Sequence, residues 1–148
     1  MRSITGKWFE TKVKFEKQTE DGLFKQVTEQ YVVEALTFAE AEESIIKAMN
    51  ALSVNDLDVD DIKKASYREI FFSDDYADKW YKAKLQFITI DENTQKEKRS
   101  AVNYLVQAES FDAAKRNIDE VMGGTMIDYE IASVSETNIM DVFCKIRK

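Results

Sequence analysis

The chain has 148 residues, 44% of them hydrophobic and 33% charged, the composition of an ordered globular protein. It has no histidine and one cysteine, which removes Ser-His-Asp and Cys-His catalysis, histidine zinc sites, a single-chain thiolate zinc site and any internal disulfide. A net charge of −7 weighs against indiscriminate binding to DNA or anionic membrane, which is an electrostatic effect.

The first element is predicted by alternation: Phe9, Thr11, Val13 and Phe15 take turns with Trp8, Glu10, Lys12 and Lys14, as in a strand. Glu20-Asp21-Gly22 supplies a turn, with Gly22 free to adopt positive φ. A second strand from about Phe24 to Leu36, with Tyr31, Val33 and Ala35 on one face, completes a hairpin. Thr37 and Glu40 spell a capping box, and Phe38, Ala41, Ile45, Ala48, Met49 and Leu52 form the apolar stripe of the helix it opens. Asn55 to Asp61 reads as a solvated acidic connector, and a third strand is expected from Ile62 to Phe72.

The order then repeats. Lys7-Trp8-Phe9-Glu10-Thr11-Lys12-Val13-Lys14-Phe15 returns as Lys79-Trp80-Tyr81-Lys82-Ala83-Lys84-Leu85-Gln86-Phe87, an offset of 72, and Tyr31 to Phe38 returns as Tyr104 to Phe111, an offset of 73. The extra residue falls between, where a turn at Asp91-Glu92-Asn93 absorbs it. Ser110 takes the N-cap place, Phe111, Ala114, Ile118, Val121 and Met122 make the stripe, and Gly123-Gly124 stops the helix. The last strand region, Ile131 to Ile146, carries a bend near Glu136 to Asn138, and matching Ile62, Ser66 and Ile70 to Ile131, Ser135 and Ile139 gives an offset of 69.

Each copy is thus β-β-α-β. The predicted fold is α+β, a tandem duplication forming one pseudo-twofold antiparallel-sheet domain over residues 1–148, with about six strands and two helices on one face. Repeat 1 spans about 7–72 and repeat 2 about 79–146, joined by a turn holding Asp74, Asp75 and Asp78. Phe38 and Phe111 are expected to be buried at the two helix starts.

The candidate binding surface is the face of the first strand of each copy that points away from the helix: Trp8, Lys12 and Lys14, then Trp80, Lys82 and Lys84. Aromatic rings interleaved with cations suit stacked bases and phosphates. The same tryptophans equally suit packing on Val32 and Leu105, or contact with another subunit. Glu10, Glu16 and Glu34 share that face and oppose the nucleic-acid alternative.

Other chemistry finds little support. Counted as a calcium loop from Asp56, the acidic stretch has Asp61 where glycine belongs and Tyr67 where glutamate belongs. Asp74, Asp75, Asp78, Asp91 and Glu92 are explained by turn chemistry. Cys144 lacks a histidine to activate it and reads as a small buried hydrophobe. No glycine spacing fits a phosphate loop. No catalytic residue, metal ligand or cofactor is assigned.

Lys7-Trp8-Phe9-Glu10-Thr11-Lys12-Val13, Val27-Thr28-Glu29-Gln30-Tyr31-Val32-Val33 and Phe38-Ala39-Glu40-Ala41-Glu42 resemble a small family from Bacteroidetes and their gut phages known as a domain of unknown function. The resemblance covers nearly the whole chain and implies a bacterial or phage-borne intracellular protein, with no catalytic residue to carry over. With no signal-peptide or membrane-length apolar run, the expected location is the cytoplasm. The expected role is a non-enzymatic protein-interaction or assembly module, self-association included. The alternative is a nucleic-acid-binding accessory protein using the Trp/Lys faces.

Overall fold

A computed structural model describes residues 1–75 and 77–145. The chain forms two compact units. One holds residues 7–66 and the chain from Asn138 onward; the other holds residues 1–6 and 67–137.

The first-repeat unit is built on a hairpin of β2 (Trp8–Gln18) and β3 (Phe24–Glu34), in register from Trp8 opposite Glu34 to Gln18 opposite Phe24. Gly22 closes the turn at φ 80°, a conformation a side chain would strain. Helix α1 (Phe38–Ala51) starts where the Thr37 hydroxyl accepts a bond from the Glu40 N–H at 3.1 Å. The Glu40 carboxylate answers by accepting from the Leu36 N–H at 3.2 Å. Its inner stripe of Ala41, Ile45 and Met49 packs on Phe9, Val13, Phe15, Tyr31 and Val33. Strand β4 (Asn55–Ala65) joins β2 antiparallel, and β9 (Ile139–Phe143) joins β3 in parallel, giving the order β4-β2-β3-β9.

The stretch Asn55–Asp61 is therefore not a connector but most of β4. Asp56, Asp58 and Asp60 alternate with Leu57 and Val59, which pack against the core together with the following Ile62, while Asp60 reaches Lys14 at 3.5 Å. Charge on an edge strand blunts unwanted pairing, so an acidic run here is compatible with sheet structure.

The second-repeat unit repeats the plan with β6 (Lys79–Ile90), β7 (Glu97–Ala108), α2 (Phe111–Gly123) and β8 (Asp128–Glu136). Residues 91–96 connect its hairpin where 19–23 connect the first, which accounts for the offset rising from 72 to 73. The Ser110 hydroxyl caps α2 by accepting from Ala113 N–H at 3.1 Å, and Ala114, Ile118 and Met122 meet Tyr81, Leu85, Tyr104 and Val106. Strand β5 (Tyr67–Phe72) pairs in parallel with β7, and β1 (Arg2–Thr5) lies antiparallel on the outer edge of β5. The order is β1-β5-β7-β6-β8.

The α+β duplication read from the sequence is what the chain folds into. Each predicted third strand is in fact two. The first breaks at Ser66; the second breaks after Glu136, within the predicted bend. Beyond each break the chain joins the sheet built on the other copy's hairpin, so β5 completes the second-repeat sheet and β9 the first. That exchange supplies the two parallel pairings and raises the predicted six strands to eight; β1, which the sequence reading did not foresee, is the ninth among the described residues. The Ile146 end of the predicted last strand lies outside the described residues.

Pairing also corrects the offset of 69. Ile62 faces Thr11 and Val134 faces Ala83, both 72 apart, and both copies carry an irregularity at the same point, Lys12/Val13 and Lys84/Leu85. The connection after the helix gives back the one residue gained in the turn.

Phe38 and Phe111 are not buried: they are 49% and 46% exposed. As the first residue of each helix, each points back toward the helix start, past the stripe formed by Ala41 or Ala114. Phe38 rests edge-on against Phe9 at 5.0 Å, and Lys115 lies 5.5 Å from the Phe111 ring. Phe111→Ala is therefore expected to lower stability by about 1 kcal/mol, well under the 3–5 kcal/mol of a buried ring, as a urea melt would read.

Candidate functional site

Trp8 and Trp80 are each only 2% exposed. Trp80 meets Phe72 edge-to-face at 5.5 Å, and the Arg2 guanidinium lies 5.1 Å from the centre of the Phe72 ring. The Trp8 indole N–H is buried without an acceptor among the described residues. Rings this enclosed offer no face to a stacked base, so the tryptophans take the packing alternative. The lysines around them are engaged nearby: Lys14 with Asp60 at 3.5 Å, Lys82 over Tyr67 at 5.7 Å. Lys12 stands opposite Asp61 on β4, in a small cleft of about 140 Å³ shared with Glu10 and Lys63. Lys84 is exposed between Asn103 and Ser133. The structure thus separates the aromatic from the cationic half of the predicted surface.

The turn carboxylates behave as turn residues. Asp91 accepts from the Asn93 N–H at 2.9 Å, and Asp74 holds the Met1 ammonium. Among the described residues no group of three or more His, Cys, Asp or Glu is placed to hold a metal ion, and no helix is long and apolar enough to cross a membrane.

A cleft of about 440 Å³ opens between the far half of the first hairpin and the end of α1, with Phe15, Phe24, Met49 and Leu52 on its walls. Tyr31 donates its hydroxyl proton to Glu29 at 2.8 Å, and Lys17 holds the other Glu29 oxygen at 3.7 Å. Burial first, then the Glu29 carboxylate, raises the Tyr31 hydroxyl well above its ordinary 10.0. Burial and Asp119, bonded at 2.7 Å, push Tyr129 up to about 12, and burial also raises Tyr81 and Tyr104. These hydroxyls stay neutral in the fold at a pH where the unfolded chain ionises them. Their contribution is complete below pH 10 and lost as pH climbs toward the folded values. The part of the urea midpoint that these tyrosines carry should hold steady up to about pH 10 and then fall, and Tyr31→Phe should flatten part of that fall.

The second cavity, about 480 Å³, is an apolar groove beside β9. Ser44, Lys47, Ala48 and Ala51, spaced along one face of α1, form one wall; Phe143 and Cys144 form the other. Glu34 anchors the chain beyond β9 by accepting from the Lys145 N–H at 2.9 Å, and the Lys145 ammonium meets Glu40 at 2.6 Å. Cys144, half-buried, sits at this wall.

The groove gains meaning by comparison with the second-repeat unit. β5 and β9 are counterparts: Tyr67, Glu69, Ile70 and Phe71 pair with β7 as Ile139, Asp141, Val142 and Phe143 pair with β3, each pair 72 apart, with an irregularity at the same step. β5 is covered on its outer edge by β1, whereas no strand covers β9 among the described residues. Met1, just before β1, packs against the core containing Phe71, the counterpart of Phe143. Sequence reasoning missed this site because the offset of 69 aligned Ile139 with Ile70 rather than Tyr67.

The family model described as Domain of unknown function (DUF4494) matches residues 7–145. No curated protein and no solved structure matches the chain significantly.

Proposed function

We propose that this chain, which belongs to the DUF4494 family, is a non-enzymatic interaction module that engages another protein through the β9 edge of its first-repeat unit. One observation carries the reading: the two sheets share a plan, yet among the described residues the edge position that β1 takes on one sheet is taken by no strand on the other. An edge strand beside an apolar groove supports main-chain pairing with a second polypeptide. The lone cysteine and acidic composition fit a cytoplasmic protein, and the sequence resemblance supports a bacterial or phage-borne one.

The nucleic-acid alternative has less support. Its stacking residues, Trp8 and Trp80, are enclosed, and Lys14 already faces Asp60.

The test is a photo-reactive residue at Met140, which is 51% exposed on β9, compared in living cells with the same residue at Ile90, 66% exposed at the end of β6. Covalent adducts at Met140 and not at Ile90 are expected, and their mass tells a second copy from another protein. Adducts at neither position, or equally at both, would sink the proposal.

A further inference from the structure

We infer that the cleft at the far end of the first hairpin binds a small amphipathic amine, its ammonium on Glu29 and its apolar body against Phe15 and Met49. The inference goes beyond the interaction-module reading and does not depend on it.

Glu29 departs from the plan the two units share. It stands opposite Val13 in the first hairpin, as Val102 stands opposite Leu85 in the second, so the two hold the same place. Val102 packs against the second-repeat core. The fold accepts a valine there, yet the first repeat keeps a carboxylate whose side chain is only 13% exposed. Withdrawing a carboxylate from water is costly unless its oxygens are well partnered. One Glu29 oxygen accepts from the Tyr31 hydroxyl at 2.8 Å. The other has Lys17 at 3.7 Å, beyond hydrogen-bond reach. Lys17 is itself 61% exposed, a side chain that can swing into water. Burial first, then Glu29 and Asp141, keep the Tyr31 hydroxyl protonated, so it stays a donor and leaves the second oxygen to a cation.

The walls select the rest of the ligand. A volume of about 440 Å³ lies within the range of small-molecule pockets, and Phe24 and Leu52 line it while remaining exposed. Among the charged groups of the lining, Glu16 and Glu29 outnumber Lys17. Lys25, opposite Lys17 in the hairpin register, stands outside the lining, and Asp56 follows Asn55 on the β4 side. The last turn of α1 ends at this cleft with no basic residue, so the partial negative charge of the helix end also favours a cation. The rings of Phe15 and Phe24 favour a cation as well, and with Met49 and Leu52 they favour a hydrocarbon or aromatic body beside it. Lys17 is the group that the ligand displaces.

The experiment titrates the full chain, isotope-labelled at its methionine methyls, with phenylpropylamine, with the uncharged phenylpropanol and with phenylpropionate. A saturable ring-current shift of the Met49 methyl is expected, while Met122, its counterpart in the second-repeat unit, stays put. The amine should bind about tenfold tighter than the alcohol, the scale of a charge-assisted hydrogen bond less a displaced surface ion pair. Phenylpropionate should bind most weakly. Glu29→Gln keeps an acceptor for Tyr31 and should bring the amine down to the affinity of the alcohol. Lys17→Ala should tighten the amine severalfold, whereas Lys47→Ala, the same change of charge outside the cleft, should not. Leu52→Trp, a change at an exposed position, should block every one of these ligands. The inference is overturned if Met49 shows no saturable shift up to about 10 mM amine, the weak end for so small a ligand. Equal affinity for amine and alcohol, tighter binding of phenylpropionate, or weaker amine binding in Lys17→Ala would overturn it as well.

Discussion

Cut between Ser73 and Asp78, the chain is expected to give two fragments that remain largely unfolded apart and fold when mixed. The amino-terminal fragment keeps β2, β3, α1 and β4 but lacks β9, and it carries β1 and β5 with no β7 to receive them. The carboxy-terminal fragment has the reverse deficit. Val32 and Val33 on β3, and Leu105 and Val106 on β7, are fully buried in the intact chain, and each loses a neighbouring strand in its fragment. A sequence of half this length has little area with which to offset that loss. Circular dichroism and amide spectra of each fragment, then of the mixture, would show it. Native-like dispersion from either fragment alone would overturn the expectation. For the same reason the intact chain is expected to unfold in one transition.

The second large effect is Phe71→Ala. Phe71 belongs to the first copy by sequence, but it is fully buried in the second-repeat core with its ring 5.0 Å from that of Tyr104. Truncating a buried ring removes about 3–5 kcal/mol. The informative part is where the change registers: amide shifts should move in β7 and α2 and stay put in β2 and β3. Shifts concentrated in the first hairpin would mean that β5 stays with its own repeat.

Much of the fold was legible because local chemistry and tertiary packing agree. Phe9, Thr11, Val13 and Phe15 alternate inward as written, Gly22 takes positive φ, and Thr37 and Ser110 cap the helices they precede. The strand exchange was not legible. Ala65-Ser66-Tyr67 breaks the period-two pattern, but no local pattern says which hairpin the next strand will join. Nor does periodicity tell a core position from the first residue of a helix, which is why Phe38 and Phe111 fit the stripe and yet stay half-exposed. Of the predicted surface, the tryptophans and lysines share a face in sequence, but burial separates them. The groove at β9 needed the comparison of two complete sheets.

The late placement of β9 also governs how the protein is made. β3 ends at Glu34 and its parallel neighbour begins at Ile139, so roughly a hundred residues must be synthesised between them. At synthesis rates of about 5–20 residues per second, that interval is on the order of 5–20 s. During it the nascent chain holds a finished hairpin and helix with the edge at Tyr31, Val32 and Val33 still unpaired. The second-repeat sheet, whose strands all precede Thr137, has everything it requires sooner. The repeat that emerges first from the ribosome is thus the last to be completed.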